Sequence, residues 1–208
     1  MADQVVANPA EAKIMVSAEE YMEKYAAHFY EWVDGELVKM SPASMTHHYL
    51  SMYIYALIET YLNLNPIGRV LMAPFVMKIS DSSPRREPDL QVILHGNPGK
   101  LTETAMLGAA DICIEIVSEE SVERDHGTKF EEYEKGGVLE YWNIDPIHKE
   151  ARFYQLGQKK QYIPVKPDAG DQYHSPLLPR LKLHVPTLWE SPLPDMIQVV
   201  QSVQAMLG

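Results

Sequence analysis

The sequence predicts a mixed α/β (α+β) protein in which a β-sheet is flanked by helices, preceded by an N-terminal helix and a β-hairpin. Two observations carry this prediction. Hairpin signals come first along the chain, and a strand–helix–strand unit built on a very apolar strand follows. This order favours a mixed sheet with helices on its faces. The 208 residues, 46% of them hydrophobic, can bury one sizeable core, so we expect a single domain over residues 1–208.

The N-terminal elements have distinct local signals. Residues 1–15 are predicted to be a loose leader, and Ser17 with Glu20 has the spacing of a capping box that begins a helix. Asp34-Gly35 lies between two alternating segments and is typical of a two-residue hairpin turn. Apolar residues at helical spacing then predict a long helix over residues 46–64.

The remaining elements follow from apolar runs and from the glycines and prolines between them. Their predicted order is an extended stretch 69–80, a second one 88–94, a short helix near 102–109, the apolar strand 111–118, a helix 121–135, a strand 140–145, a strand pair across Gly157, a proline-rich loop region 164–194 and a closing helix 195–207. Gly136-Gly137 is expected to end the helix that precedes it, because glycine is a common helix terminator.

Composition excludes several classes of protein. No stretch reaches the roughly 18 apolar residues of a membrane span, and no secretion signal is present, so we expect a cytoplasmic protein without a membrane partner. The single cysteine, Cys113, excludes an internal disulfide framework and is predicted to pack in the core. A net charge of −11 argues against a generic electrostatic binder of nucleic acid. Arg85-Arg86 could contact phosphate, but a solvated surface pair is the commoner role.

A carboxylate interrupts the most apolar strand of the chain. Glu115 lies within Ile112-Cys113-Ile114-Glu115-Ile116-Val117, a run typical of a strand covered on both faces. An ionised side chain there is unfavourable by several kcal/mol unless a cation meets it. Glu115 is therefore expected to contact a metal ion, a lysine, or both.

A second carboxylate is predicted on the neighbouring strand. Asp89 opens the segment 88–94, and two carboxylates on adjacent strands can share one divalent cation. Oxygen-only sites of this kind suit magnesium or manganese, which leave further positions to water and substrate phosphate. Such an ion can activate water and stabilise charge on a phosphodiester that is being cleaved. A turn aspartate would be the simpler interpretation of Asp89 alone.

A lysine lies on the inward stripe of the helix that follows Glu115. That stripe consists of Val122, His126, Lys129, Phe130 and Tyr133. Lys129 aimed at the sheet would neutralise Glu115 and could orient a nucleophilic water or support a developing oxyanion. The alternative is a lysine whose stem packs while its ammonium reaches solvent.

Together these residues resemble the PD-(D/E)XK nuclease superfamily, with Pro88-Asp89 as the PD portion and Glu115-Ile116-Val117 as the (D/E)X portion. Val117 stands where the usual lysine would be, so the resemblance requires Lys129 to supply the amine from the following helix. More closely, the chain resembles the Uma-two "putative restriction endonuclease" family over about residues 17–190. The shared patterns are Tyr30-Glu31-x-x-Asp34-Gly35-Glu36-Leu37-Val38, Met40-Ser41-Pro42 followed by His47, Pro88-Asp89, Glu115-Ile116-Val117-Ser118, Asp125-x-x-x-Lys129-x-x-x-Tyr133 and Gly137-Val138-x-Glu140-Tyr141-Trp142-x-Ile144-Asp145-Pro146.

The resemblance implies a restriction-endonuclease-like fold, Asp89 and Glu115 as ligands of Mg (or Mn), and Lys129 as the catalytic amine. His47 could reach the site or hydrogen-bond the scissile phosphate, although such a histidine is more often a satisfied core residue. An additional acidic ligand could come from the hairpin, from Glu31 or Glu36, and a solvated hairpin face is the alternative for each. Tyr133 is expected to pack and could hydrogen-bond within the site.

The predicted function is metal-dependent endonucleolytic hydrolysis of phosphodiester bonds in nucleic acid, with DNA as the expected substrate. A nuclease fold kept as a binding or interaction module is the main alternative, favoured by the acidic net charge and by Glu119-Glu120 next to the site. A third hypothesis is a purely structural salt bridge between Glu115 and Lys129. A homodimer would suit cutting of two strands, and the apolar C-terminal helix could cover a dimer surface as easily as the protein's own sheet.

Overall fold

The computed structural model describes residues 13–40, 42–118 and 127–208. In chain order the elements are α1 (Ala18–Lys24), β1 (Tyr30–Val33), β2 (Glu36–Lys39), α2 (Met45–Leu64), β3 (Gly68–Met72), β4 (Val76–Lys78), β5 (Arg85–Arg86), β6 (Leu90–Leu94), β7 (Lys100–Leu101), β8 (Ala105–Leu107), β9 (Ile112–Ile116), α3 (Lys129–Gly136), β10 (Glu140–Asp145), β11 (Glu150–Leu156), β12 (Tyr162–Val165), β13 (Gln172–His174), β14 (Lys182–His184), a 3₁₀ helix (Val185–Trp189) and α4 (Met196–Leu207).

Two six-stranded mixed sheets form the framework. The first sheet has the strand order β2-β1-β5-β4-β8-β7, and the second has the order β12-β11-β10-β9-β6-β3. The mixed α+β class is confirmed, although the sequence predicted one sheet. The predicted stretch 69–80 is split at Pro74, which has no N–H to donate to a neighbouring strand, so β3 and β4 join different sheets.

The N-terminal helix and hairpin form as predicted. Ser17 Oγ accepts a 3.1 Å hydrogen bond from the Glu20 N–H at the start of α1. Asp34 (φ 50°) and Gly35 (φ 91°) both have positive φ, as a tight hairpin turn of type I′ requires. Residues 1–12 of the predicted leader lie outside the described residues. The leader is not loose at Ile14 and Met15. The Ile14 carbonyl accepts a 2.9 Å bond from the Leu37 N–H, and Met15 pairs with Glu36 at the outer edge of β2.

The prediction of a short helix near residues 102–109 is wrong. β7 and β8 are antiparallel there, joined by a turn in which the Thr102 hydroxyl donates to the Ala105 carbonyl at 2.8 Å. β8 also pairs in parallel with β4. A segment this short carries too few turns for periodicity to separate helix from strand, so the pairing with β4 decides its conformation.

The second sheet is covered on both faces, as the composition of its apolar strand predicted. Every residue of β9 is buried. Ile112, Ile114 and Ile116 belong to the core that includes residues of α2 and α4, whereas Cys113 belongs to the core that includes Tyr133 of α3. Cys113 packs as predicted, with its Sγ 3.7 Å from the Met77 Sδ.

Two further helices match their predictions in the described residues. α3 ends at Gly137, which has a left-handed conformation (φ 87°), while residues 121–126 of the predicted helix lie outside the described residues. α4 begins with a capping box between Asp195 and Gln198 and buries Val199 and Val203. Its main partner is α2, not the sheet.

The region 164–194 differs from the predicted loop. It contains β13, β14 and the 3₁₀ helix in addition to its connections. Within the described ranges, none of the helices combines the length and the apolar character that crossing a bilayer would need.

Candidate active site

Asp89 lies where the chain passes from the first sheet to the second, between β5 and β6. β6 and β9 are antiparallel with Leu90 opposite Ile114, so that one step further Asp89 stands opposite Glu115. The Asp89 Oδ2 accepts a 2.7 Å hydrogen bond from the Ile116 N–H. The two carboxylates therefore lie side by side as predicted, although Asp89 directly precedes β6 and does not open it.

Glu115 meets both a lysine and a tyrosine from α3. The side chain of Glu115 is only 3% exposed, and the Lys129 Nζ lies 3.0 Å from its Oε2. The Tyr133 hydroxyl donates to Glu115 Oε1 at 2.6 Å. Burial, reinforced by the charge of Glu115, raises the pKa of Tyr133 well above its usual range, so the phenol remains a donor. Lys129 thus faces the sheet and not solvent.

Glu31 belongs to the same cluster, so the expected solvated hairpin face is wrong for this residue. Its strand β1 lies between β2 and β5, and its side chain is 1% exposed. Glu31 Oε1 is 3.3 Å from the Lys129 Nζ, and Oε2 accepts a 2.8 Å bond from Arg86 Nη1. Burial alone would raise the pKa of Glu31, but Lys129 and Arg86 outweigh it and lower the pKa to about 2.

The other hairpin candidate, Glu36, is not brought to the site. Its Oε2 is 2.6 Å from the Lys13 Nζ, and its side chain is 30% exposed. Distance from the turn explains the difference between the two residues. Glu36 directly follows the turn, whereas Glu31 pairs with Val38 farther along the hairpin. The solvated alternative describes Glu36 correctly.

His47 contacts Asp89 from the first turn of α2. The His47 Nε2 lies 3.1 Å from Asp89 Oδ2, a distance at which the imidazole N–H donates to the carboxylate. The two side chains are 16% and 20% exposed, so solvent reaches the cluster here. Asp89 Oδ2 is held by His47 and by the Ile116 N–H, which leaves Oδ1 without a hydrogen bond from any described residue.

Arg86 and Glu132 are site residues that the sequence reasoning missed. Arg85-Arg86 was expected to be a solvated pair, but each arginine is 3% exposed. Arg86 Nε and Nη2 donate to the two carboxylate oxygens of Glu132 at 2.7 and 2.8 Å. The available signals were the position of Arg86 just before Pro88-Asp89 and the three-residue spacing between Lys129 and Glu132, which places both on one helix face.

Glu87 is a third missed residue. The Tyr21 hydroxyl oxygen lies 2.9 Å from the Tyr30 carbonyl oxygen and 2.8 Å from Glu87 Oε1. Either oxygen can accept the hydrogen bond that the hydroxyl donates. Glu87 Oε2 is buried and has no hydrogen-bond partner among the described residues. Burial raises the pKa of Glu87 to about 7, against the opposing effect of the Tyr21 contact. A phenol carries one proton, so both contacts are satisfied when Glu87 is neutral and itself donates to Tyr21.

A comparison with protein-family models identifies the chain. The model of the Uma2 family, described as "Putative restriction endonuclease", matches residues 18–186. The chain belongs to the Uma2 family. This confirms the resemblance found in the sequence motifs.

A solved structure has the same fold as this Uma2 protein. It is described as the crystal structure of a putative nuclease belonging to DUF820 from Anabaena variabilis ATCC 29413. The two chains are 19% identical, with a TM-score of 0.64, and the match covers 77% of this chain and 89% of the other. No curated protein matches the chain.

The cluster of this Uma2 protein carries surplus negative charge. In the described part of the chain, Arg86 and Lys129 contact the carboxylates of Glu31, Glu115 and Glu132. Asp89, opposite Glu115, adds a fourth carboxylate, which contacts His47. Oxygen ligands with net negative charge fit a magnesium or manganese ion. In those same residues no group of three His, Cys, Asp or Glu side chains is placed to hold a metal. Asp89 and Glu115 would therefore be two ligands of such an ion, and water or substrate phosphate would supply the others. Glu119-Glu120, Val122 and His126 lie outside the described residues.

Proposed function

We propose that this protein is a Mg²⁺- or Mn²⁺-dependent endonuclease that hydrolyses phosphodiester bonds in DNA. The observation that carries the proposal is the position of Lys129, whose ammonium lies 3.0 Å from Glu115 on the strand beside Asp89. The family membership of the chain supports hydrolysis of nucleic acid as the activity. A buried cation beside two metal-binding carboxylates has a direct use in phosphoryl chemistry.

Each residue has a proposed part in this activity. Asp89 and Glu115 hold the divalent ion through their carboxylate oxygens, and His47 orients Asp89 by binding Oδ2 while Oδ1 stays available. Tyr133 orients Glu115 through its hydroxyl. Lys129 donates hydrogen bonds to the attacking water or to the phosphate oxygen on which charge develops. Glu31 balances the charge of Lys129 and is a positioning residue, not a ligand.

A bound divalent ion would supply positive charge to the phosphate and lower the pKa of a coordinated water. Two carboxylates with water and substrate phosphate are a common ligand set for magnesium. The net charge of −11 disfavours DNA binding, because DNA is also negatively charged. A bound divalent ion would reduce this repulsion at the site, where it gives the phosphate backbone a local cation.

We further propose that the protein acts in the cytoplasm as a homodimer. Two copies related by a two-fold axis would present two sites to the two strands of a duplex. Static light scattering of the purified protein should give twice the monomer mass of 23.6 kDa.

Cleavage of labelled double-stranded DNA in Mg²⁺ or Mn²⁺ tests the proposal. D89N, E115Q and K129A should each lower the cleavage rate at least about 100-fold, because each removes a ligand or the cation of the site. K135A is the matched control, since Lys135 lies on the same helix but is 73% exposed and pairs with Glu131. Full activity in K129A, with circular dichroism like that of the wild type, would remove the assignment.

The alternative function is a nuclease-fold module that binds nucleic acid without cutting it. The observation that favours it is that Lys129 is already paired with both Glu31 and Glu115. Wild-type protein that binds DNA but does not cleave DNA or RNA in either metal would favour this module. Cleavage that depends on Asp89 and Glu115 would exclude it.

A further inference from the structure

The guanidinium of Arg86 holds two other elements together. It lies on the short strand β5 and is 3% exposed. Two of its nitrogens donate to both oxygens of Glu132 on α3, at 2.7 and 2.8 Å. A third nitrogen donates to Glu31 Oε2 on β1 at 2.8 Å. A two-pronged contact of this kind fixes orientation as well as distance.

These contacts form a closed ring that contains Lys129. Glu31 uses its second oxygen, Oε1, to contact the Lys129 Nζ at 3.3 Å. Glu132 is three residues after Lys129 on α3, so the two side chains leave the same face of the helix. Arg86 therefore reaches Lys129 by two routes, one through Glu31 and one through Glu132 and the helix backbone.

The position of Lys129 depends on where α3 lies against the sheet. Lys129 is the first α-helical residue of α3, and the two residues before it, Gly127 and Thr128, have π-helical backbone. A long lysine side chain loses considerable rotamer freedom when it is held in one place. A shift of α3 away from β1 and β5 would take the ammonium of Lys129 away from Glu115.

We propose that Arg86 is a positioning residue whose contacts with Glu132 and Glu31 hold the Lys129 ammonium against Glu115. The catalytic consequence of this placement rests on the proposed nuclease function. The placement itself does not, and it can be measured in a protein without activity.

Arg86 stays protonated although it is buried. Burial would lower the pKa of Arg86, but the hydrogen bonds and charges of Glu132 and Glu31 outweigh it and raise the pKa above its usual range. Lysine at this position would keep the charge but lose the paired N–H groups that match a carboxylate. R86K therefore isolates the geometry of the contact.

Chemical labelling of lysines, read by mass spectrometry, reports where Lys129 is. Reductive methylation of the folded wild-type protein should modify Lys129 far more slowly than Lys135, which is 73% exposed on the same helix. R86K should raise the labelling rate of Lys129 at least about tenfold, because local displacement of α3 from β5 and β1 becomes easier. R85K is the matched control, since Arg85 is equally buried but donates to the carbonyls of Ser80 and Asp81 and stacks over Trp32.

E132Q provides a second variant in case R86K does not fold. It leaves Arg86 and Glu31 in place and weakens only the contact with α3, and the Glu132 side chain is 21% exposed. Faster labelling of Lys129 in E132Q supports the proposal. Wild-type protection of Lys129 in a folded R86K or E132Q variant, or equal loss of protection in R85K, overturns it.

Steady-state kinetics of DNA cleavage separate an effect on the position of Lys129 from an effect on substrate binding. R86K and E132Q should lower kcat about 10- to 100-fold with little change in KM, since a small displacement of a catalytic group affects the chemical step. The double variant should lose no more than the larger single one, because both act through one contact. Labelling as expected in a protein without cleavage would reject the nuclease function and keep the positioning role of Arg86.

Discussion

Glu31 and Glu115 are carboxylates almost completely removed from water, and both contact the ammonium of Lys129. Moving a charged side chain from water into the protein interior is unfavourable by several kcal/mol, and close partners of opposite charge compensate this loss of hydration. The contact between Glu115 and Lys129 is therefore one part of a larger network of buried charges. Lys129 also neutralises Glu31, and Asp89 adds a carboxylate whose Oδ1 accepts no hydrogen bond from a described residue.

Glu87 makes stability depend on pH. Its pKa rises from the usual 4.5 to about 7 because burial disfavours the ionised form, with Glu31 adding repulsion and Tyr21 and Lys129 opposing it. The folded protein therefore binds a proton that the unfolded chain has lost between these two pH values. The contribution to the free energy of unfolding is fully present below pH 4.5 and falls, by up to about 3 kcal/mol, as the pH rises to 7.

E87Q should remove this part of the pH dependence, because glutamine does not titrate. Urea unfolding from pH 4.5 to 8, in EDTA so that no metal contributes, gives the comparison. E23Q changes an exposed glutamate of α1 and should keep the wild-type profile. Parallel profiles of wild type and E87Q would show that Glu87 is ionised throughout the range.

Glu140 is a buried carboxylate that pattern analysis treated only as part of a strand and a family motif. Its oxygens accept hydrogen bonds from Trp142 Nε1 at 2.9 Å and from the hydroxyls of Tyr173 and Ser175 at 2.8 Å. Burial nevertheless raises its pKa. The donors lie more than thirty positions away in two of three cases, so no local pattern announces them.

At the scale of elements, α3 depends on a glycine at its end. Gly137 has φ 87° and its N–H donates to the Tyr133 carbonyl at 3.0 Å. A Cβ at this position would meet no atom within 4 Å, so backbone strain is the main effect of a side chain here. G137A should lower the free energy of unfolding by about 1–2 kcal/mol, because L-residues disfavour the left-handed conformation.

Urea denaturation measures this loss, with G96A as the control. Gly96 also has open space around the position of a Cβ, but its φ is not in the left-handed range. A loss in G96A as large as that in G137A would show that the conformation of Gly137 is not the cause.

Elements with strong local signals were predicted well, and very short strands, which depend on pairing with another strand, were not. The hairpin has a turn sequence that only a few conformations suit, and α2 has twenty residues of helical spacing. β7, β8, β13 and β14 are strands of two or three residues. Strands this short have no periodicity to detect, and strand pairing determines them: β13 pairs with β14, and β8 pairs with β7 and with β4.

At the scale of the whole molecule, divalent metal should stabilise the folded state. An ion that binds only the native protein raises the free energy of unfolding by about 2.7 kcal/mol at about a hundredfold excess over Kd. Thermal unfolding in Mn²⁺ should therefore shift the wild-type Tm upward, and EDTA should reverse the shift. D89N and E115Q should lose most of it, whereas K135A should keep it.

Equal shifts in wild type, D89N and E115Q would mean that the metal binds elsewhere on this acidic surface. Net charge alone attracts cations non-specifically, so dependence on the two carboxylates is the informative result. Repeating the scan in Mg²⁺ distinguishes the two candidate ions.

The hairpin, the long helices and the apolar strand were readable in the amino-acid sequence, since each depends on neighbours within a few residues. The order of these elements and of the motifs along the chain was enough for the fold class and the family. It also placed Asp89, Glu115 and Lys129 near each other, because adjacent strands and a crossover helix leave little freedom. The folded molecule was needed to show that Glu31 is buried, that Arg86 joins Glu31 to Glu132, and that one oxygen of Glu87 has no partner in the described residues. These contacts join residues separated by 46 or more positions, and burial is a property of the assembled layers.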